Sequence, residues 1–106
     1  MRYDPVTFDE EITLIGVESK GFDEFGNQVK QKSERRVLAN VRSATRAERT
    51  EAASRGYQAE FAFTISLYEY QDERKVSYAG EPLDVLNIYK VDPETIELTT
   101  GSRIGK

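Results

Sequence analysis

The feature that most restricts the fold of this chain is a strict two-residue alternation near its middle, over residues 60–70. Large apolar side chains occupy every second position, and small or polar ones lie between them. The two sets are Phe61, Phe63, Ile65 and Leu67, and Ala62, Thr64, Ser66 and Tyr68. Side chains of a β-strand point alternately to its two faces, so this pattern predicts a strand with one strongly apolar face. That face requires a sheet that can bury it.

Five further segments have the β-branched content or the turn boundaries of strands. They span residues 10–18, 28–41, 75–78, 83–91 and 95–99. Residues 21–27 form the predicted tip of a long hairpin between the first two. Closure or stacking of sheets protects strand edges, so we expect a mainly β fold: a small six-stranded barrel or sandwich. The expected core contains Phe61, Phe63, Ile65, Leu67, Ile88, Ile96 and Leu98.

One segment with helical character interrupts this pattern. Residues 45–55 contain good helix formers, Thr45 and Glu48 fit a capping box, and Gly56 fits a C-terminal stop. The sequence therefore predicts one short helix between the second and third strands. Its only apolar side chains are alanines, which bury little surface, so we expect it to be mobile or to pack against another subunit.

Charge is also distributed unevenly along the chain, and the basic residues are concentrated in one middle stretch. The formal net charge of the protein is -4, yet residues 30–55 hold eight basic residues against three acidic ones. The segments on either side are both acidic. The basic stretch is open to three interpretations: a solvated face, a contact to nucleic acid phosphates, or pairing with an acidic surface of a neighbouring copy.

Composition excludes several classes of chemistry. The chain has neither histidine nor cysteine, which removes disulfides, thiol catalysis, Ser–His hydrolysis and the commonest zinc ligands. We interpret the carboxylates as solvated charges at strand ends and turns, namely Glu10, Glu11, Asp72, Glu73, Asp84 and Glu94. The tyrosines on or near strands are expected to be half-buried or at interfaces, namely Tyr57, Tyr68, Tyr70, Tyr78 and Tyr89. We predict no enzymatic activity, no metal, no cofactor and no membrane association.

The length predicts a single domain over residues 1–106, with flexible tails at 1–8 and 101–106. The order of segments within it is distinctive. A hairpin tip with Asp-Glu-Phe-Gly-Asn (23–27) is followed by a strand ending Val-Leu-Ala-Asn-Val (37–41) and then by the Arg/Glu/Ala-rich insert. Next come Phe-Ala-Phe-Thr-Ile (61–65), Val-Ser-Tyr-Ala-Gly (76–80), Asn-Ile-Tyr-Lys (87–90) and Ile-Glu-Leu (96–98). Over residues 10 to 100 this order resembles the head–tail joining proteins of long-tailed phages and prophages, also called head completion or stopper proteins.

The resemblance implies a β-barrel that assembles as a homo-oligomeric ring, often a dodecamer. Such a ring lies between a portal or adaptor protein and a tail-completion protein, and it closes the head around packaged double-stranded DNA. It implies a location at the head–tail interface of the virion, and the host cytoplasm during assembly. In that family the segment between the second and third strands can face the channel. The corresponding candidates for a channel or subunit interface are Arg42, Arg46, Glu48, Arg49, Glu51 and Arg55. The hairpin tip is a candidate docking site for a partner, through Phe22, Asp23, Glu24 and Phe25.

Other functions compete with a connector. Small barrels with exposed aromatic side chains also serve as nucleic-acid binding modules of the OB type, which bind DNA with steep salt dependence. A barrel that binds a small molecule or sugar is a third possibility. Within the connector itself, the chain could also be a neighbouring adaptor or tail-completion protein.

Overall fold

The computed structural model describes residues 9–104 of the protein, and these residues form one antiparallel β-barrel. Its strands are β1 (Glu10–Phe22), β2 (Gln28–Ser43), β3 (Tyr57–Ser66), β4 (Lys75–Tyr78), β5 (Glu81–Asp92) and β6 (Thr95–Arg103). One helix, α1 (Arg46–Ala53), lies between β2 and β3, and a 3₁₀ turn (Leu67–Glu69) follows β3. The sequence-based prediction of a mainly β chain with one inserted helix is therefore confirmed.

The barrel closes in the order β1-β2-β3-β6-β5-β4, and β4 returns to β1. Pairing is long between β1 and β2, between β3 and β6 and between β5 and β6, whereas β2 and β3 pair only over Asn40–Ser43 and Phe61–Thr64. The closing contact is short, with only Thr13–Ile15 of β1 paired to Lys75–Ser77 of β4. This short seam leaves the distal parts of β1 and β5 without a neighbour on one edge.

The core lies inside this barrel and holds side chains from all six strands. Its buried members are Ile12, Leu14, Val37, Ala39, Phe63, Ile65, Val76, Leu83, Ile96 and Leu98. Phe63 is fully buried, and the Tyr78 ring stands edge-on to it with centroids 5.3 Å apart. Edge-to-face pairs of this kind stabilise a core beyond their buried area.

Four of the seven predicted core residues are confirmed as buried, and two more pack against the core from its rim. The buried four are Phe63, Ile65, Ile96 and Leu98, and the two at the rim are Phe61 and Leu67. The prediction for Ile88 is wrong, because this side chain is 47% exposed. Ile88 pairs with the inward-facing Leu98, but β4 pairs only with the first four residues of β5. Within the described part of the chain, β4 does not reach far enough along β5 to cover Ile88.

Among the predicted boundaries that differ from the structure, two have a clear physical cause. Residues 67–69 form a 3₁₀ turn instead of extending β3, since the Ser66 hydroxyl accepts a hydrogen bond from the Tyr68 N–H and Leu67 N–H donates to the Glu94 carbonyl. The predicted tail from 101 is wrong as far as Arg103, because β6 continues to that residue and Gly101 is buried against β3. The predicted tail at 1–8, and residues 105–106, lie outside the described residues.

A long hairpin arm projects from the barrel and gives the molecule extents of 61 × 33 × 25 Å. We define the arm as residues 16–33, the part of β1 and β2 beyond the barrel together with the turn that joins them. Its two strands stay paired from Gly16↔Ser33 to Phe22↔Gln28, with a bulge before Phe22. Every residue from 17 to 32 is exposed, so the arm is stabilised by its ladder and not by burial.

Candidate interaction surfaces

Helix α1 begins with the predicted capping box. The Thr45 hydroxyl accepts the Glu48 N–H at 3.2 Å, and the Glu48 carboxylate accepts the Thr45 N–H at 2.9 Å. These two bonds satisfy backbone donors that a helix N-terminus otherwise leaves free, and they fix where the helix starts. The sequence pattern was sufficient to locate this end of the helix.

An arginine of the barrel strand β2 anchors α1 through an ion pair with the helix. Arg42 of β2 donates to both carboxylate oxygens of Glu48, at 3.0 and 2.8 Å, and also lies 3.2 Å from the carboxylate of Glu97 on β6. The hydrogen bonds from Arg42 lower the pKa of Glu48 to about 2. The same bonds to Glu48 raise the pKa of Arg42, although partial burial opposes the shift. A fork of this kind, with two parallel N–H···O bonds, fixes orientation as well as distance.

Alanine packing adds a smaller contact on the barrel side of α1. Ala52 is buried against Ala44 and Ala59, with Tyr57 and Leu86 at the margin of the cluster. The sequence predicted a poorly anchored helix that is mobile or packs against another subunit, but Ala52 packs against this chain's own barrel. The ionic anchor is the feature that sequence reasoning missed, because Arg42 and Glu97 are 55 residues apart and no local pattern pairs them.

Two further arginines of α1 are free to meet a partner. Arg46 and Arg49 are exposed, and neither has a carboxylate within 4 Å among residues 9–104. Arg55 instead pairs with Glu51 at 3.0 Å. The six predicted interface residues are thus divided into an anchor (Arg42, Glu48), a surface pair (Glu51, Arg55) and two unpaired cations (Arg46, Arg49).

The tip of the arm is an ordered turn. One Asp23 carboxylate oxygen accepts the N–H groups of Phe25 and Asn27, both at 2.9 Å, and Gly26 has a φ of 83° that suits glycine. This geometry leaves Phe22 74% and Phe25 80% exposed. Two phenylalanines held in water by a defined turn are typical of a surface that contacts another molecule.

Beside the base of the arm, an ion pair with a buried carboxylate joins β2 to the turn before β4, and the sequence did not reveal it. Glu73 is only 4% exposed, and Arg35 of β2 donates to it at 2.7 Å. Burial by itself would raise the pKa of Glu73, but the bonds from Arg35 and the Gln71 N–H lower it on balance. The prediction that Glu73 is a solvated turn residue is wrong. The Glu73 side chain also lies against Gly16, at the base of the arm.

The remaining predicted positions are scattered over the surface. Tyr57, Tyr70 and Tyr78 are half-buried as predicted, whereas Tyr68 and Tyr89 are exposed. Within residues 9–104 no three acidic side chains are grouped closely enough to hold a metal ion. No helix in that part of the chain is long and apolar enough to cross a membrane. The described surface thus offers two candidate contacts, the α1 arginines and the arm tip.

Comparison with known proteins adds no relative to this picture. No protein-family model matches the chain, and no curated protein matches it significantly.

Proposed function

We propose that this protein is a non-enzymatic structural component of a phage head–tail connector, which assembles as a ring that closes the DNA-filled head and docks the tail. The proposal begins from the order of segments along the chain, which resembles that of head completion proteins. It requires a compact barrel, a surface toward the channel or a neighbouring copy, and a surface toward other connector proteins. The two exposed surfaces described above meet these requirements.

The observation that carries the proposal is the division of charge on α1. Arg42 and Glu48 anchor the helix to the barrel, while Arg46 and Arg49 remain exposed and unpaired within the described residues. A helix that is anchored to the barrel and also presents two unpaired arginines suits contact with DNA phosphates or with acidic side chains of an adjacent subunit. The protein as a whole is acidic, which disfavours tight DNA binding by a free monomer.

The experiment is charge reversal on the exposed face of α1. We expect R46E/R49E to fold normally, because neither side chain supports the barrel. Ring formation should be followed by light scattering and negative-stain microscopy, alone and with the portal–adaptor complex of the same phage. Loss of rings would assign α1 to the subunit interface, and intact rings that release DNA from filled heads would assign it to the channel.

The matched control is R36E, which reverses an exposed arginine on β2 away from α1. It should leave both readouts unchanged. Amide exchange of α1 provides a second measurement, since protection that increases on assembly indicates that a neighbour supplies new contacts. A protein that never associates with connector proteins, and whose R46E/R49E variant behaves as the wild type, would contradict the proposal.

A nucleic-acid binding module is the second candidate, and the exposure of Tyr68 and Tyr89 favours it. These rings are 78% and 65% exposed and could stack on bases. This function predicts that the free protein binds single-stranded DNA with an affinity that falls steeply with salt. Replacing both tyrosines with serine should then weaken binding, whereas ring assembly by the connector would be unaffected.

A further inference from the structure

We infer that the aromatic tip of the arm docks in an apolar groove at the base of the arm on a second copy of this chain. The inference rests on the proposed ring assembly and specifies which two surfaces meet. The tip comprises Phe22, Asp23, Glu24 and Phe25. The groove lies where β4 stops and β1 continues alone.

The groove has an apolar floor and a basic rim. It encloses about 640 Å³, within the range of sites that hold a bound group, and is floored by Ile15, Val17 and Pro82. Lys32, Arg74 and Lys75 line its rim together with one carboxylate, Asp72. Lys32 and Lys75 also pair with Glu34 and Asp84, but Arg74 has no carboxylate within 4 Å among residues 9–104.

A free strand edge runs along this groove. The pairing of β1 with β4 ends at Ile15↔Lys75, while β1 itself continues to Phe22. From Gly16 onward β1 is paired only with β2 among the described residues. Native proteins cover or protect such edges, and this one is bordered by Val17, which is 69% exposed. An occupant that supplies backbone hydrogen bonds and apolar side chains would satisfy both features.

The tip has the chemistry that the groove requires. It presents two exposed phenylalanines beside the carboxylates of Asp23 and Glu24, so an apolar and acidic surface faces an apolar and basic one. The Asp23 carboxylate already accepts hydrogen bonds from two backbone N–H groups of the turn. Glu24 is therefore the carboxylate best placed to meet Arg74.

The two surfaces cannot meet within one molecule. The paired ladder from Val17 to Phe22 spans about 16 Å, and it directs the tip away from the base of its own arm. Two different patches on the same chain produce a head-to-tail contact. Such contacts form a closed ring if the rotation between copies closes. A contact between tip and groove is therefore compatible with the proposed ring.

Because the chain has no cysteine, one introduced pair can report the contact. The variants V17C and F25C are mixed at about 1 mM each, where contacts with a Kd near 1 mM are substantially occupied, and oxidised gently. We expect a V17C–F25C heterodimer in several-fold excess over the product of F25C with Y89C. Tyr89 is the matched control because it is 65% exposed and lies outside the groove.

Charge exchange tests the rim. The substitution E24R in the F25C chain, or R74E in the V17C chain, should each lower the heterodimer yield several-fold. The two combined should restore it. Any of three results would overturn the inference. The V17C–F25C heterodimer yield could be no higher than the yield with Y89C, the F25C homodimer could dominate, or the combined charge exchange could fail to restore the heterodimer.

Cross-linking within assembled rings separates this inference from the proposed function. Rings that form without a V17C–F25C link would overturn the tip-and-groove contact and leave the connector function standing. A specific link in a protein that never joins a head or tail would support the contact and contradict the connector function.

Discussion

Phe63 is the side chain on which the packing of the barrel depends most. It is fully buried, and it contacts the rings of both Phe61 and Tyr78 at centroid distances of 6.1 and 5.3 Å. Phe63→Ala should lower the free energy of unfolding by about 3–5 kcal/mol, because it removes these contacts and leaves a cavity. That loss approaches the whole stability of a small domain. Urea denaturation measures it directly.

The control for this prediction is Ile88→Ala, which should cost about 1 kcal/mol or less because the side chain is half exposed. The pair of residues also shows what the sequence could predict. Alternation correctly identified the inward face of β3, since β3 has a neighbour on both sides. The sequence also predicted β4 at its observed length, residues 75–78. It did not predict that β4 pairs only with Glu81–Asp84 of β5, which leaves Ile88 half exposed. Equal losses for the two variants would contradict this account of the core.

At the scale of elements, α1 depends on electrostatics more than on burial. The Glu48 carboxylate has a pKa of about 2 in the folded protein against an ordinary value of 4.5, chiefly through its bonds to Arg42. A carboxyl group whose pKa is lower in the folded than in the unfolded protein stabilises the fold at pH values above its unfolded-state pKa. That stabilisation is lost as the pH falls through the folded-state pKa. The lowered pKa of Glu73 acts in the same direction. Stability should therefore decline as pH falls from about 4.5 toward 2.

The variant E48Q should be less stable than the wild type at pH 7 by about 1–2 kcal/mol, since Arg42 is partly exposed and solvent screens the pair. The difference should narrow as pH falls toward 2. Unfolding free energies measured by urea at several pH values test this. E24Q, which removes an exposed acid at the arm tip, should follow the wild-type curve. A constant difference between E48Q and the wild type at all pH values would show that the carboxylate does not anchor α1 through its charge.

The helix also marks the limit of prediction from local patterns. Thr45 and Glu48 indicated its start correctly because capping depends on residues three or four apart, whereas the helix ends at Ala53, before the end predicted from Gly56. Local patterns could not predict that Arg42 also meets Glu97 or that Arg35 meets Glu73, because these partners are distant in sequence and strand pairing in the barrel brings them together.

At the scale of the whole molecule, the barrel and the arm have different physical origins. The barrel holds the buried side chains, whereas residues 17–32 of the arm are all exposed. The clamp between Arg35 and Glu73 lies beside the junction, where the Glu73 side chain packs against Gly16 at the base of the arm. An exposed arm contributes little to the stability of the barrel. We therefore expect the arm to serve a contact with another molecule.

Shortening the arm tests this division. In the variant, residues 18–31 are replaced by Asn-Gly, which joins the paired positions Val17 and Lys32 with a two-residue hairpin turn. We expect the melting temperature to stay within about 5 °C of the wild type, because the clamp and the core are retained. Assembly into rings should be lost with the tip. The full-length F22S/F25S variant is the control, which keeps the arm and removes only the aromatic contact. If shortening the arm abolished cooperative unfolding, the arm would belong to the folding unit of the barrel; if rings persisted, the contact between copies would lie elsewhere.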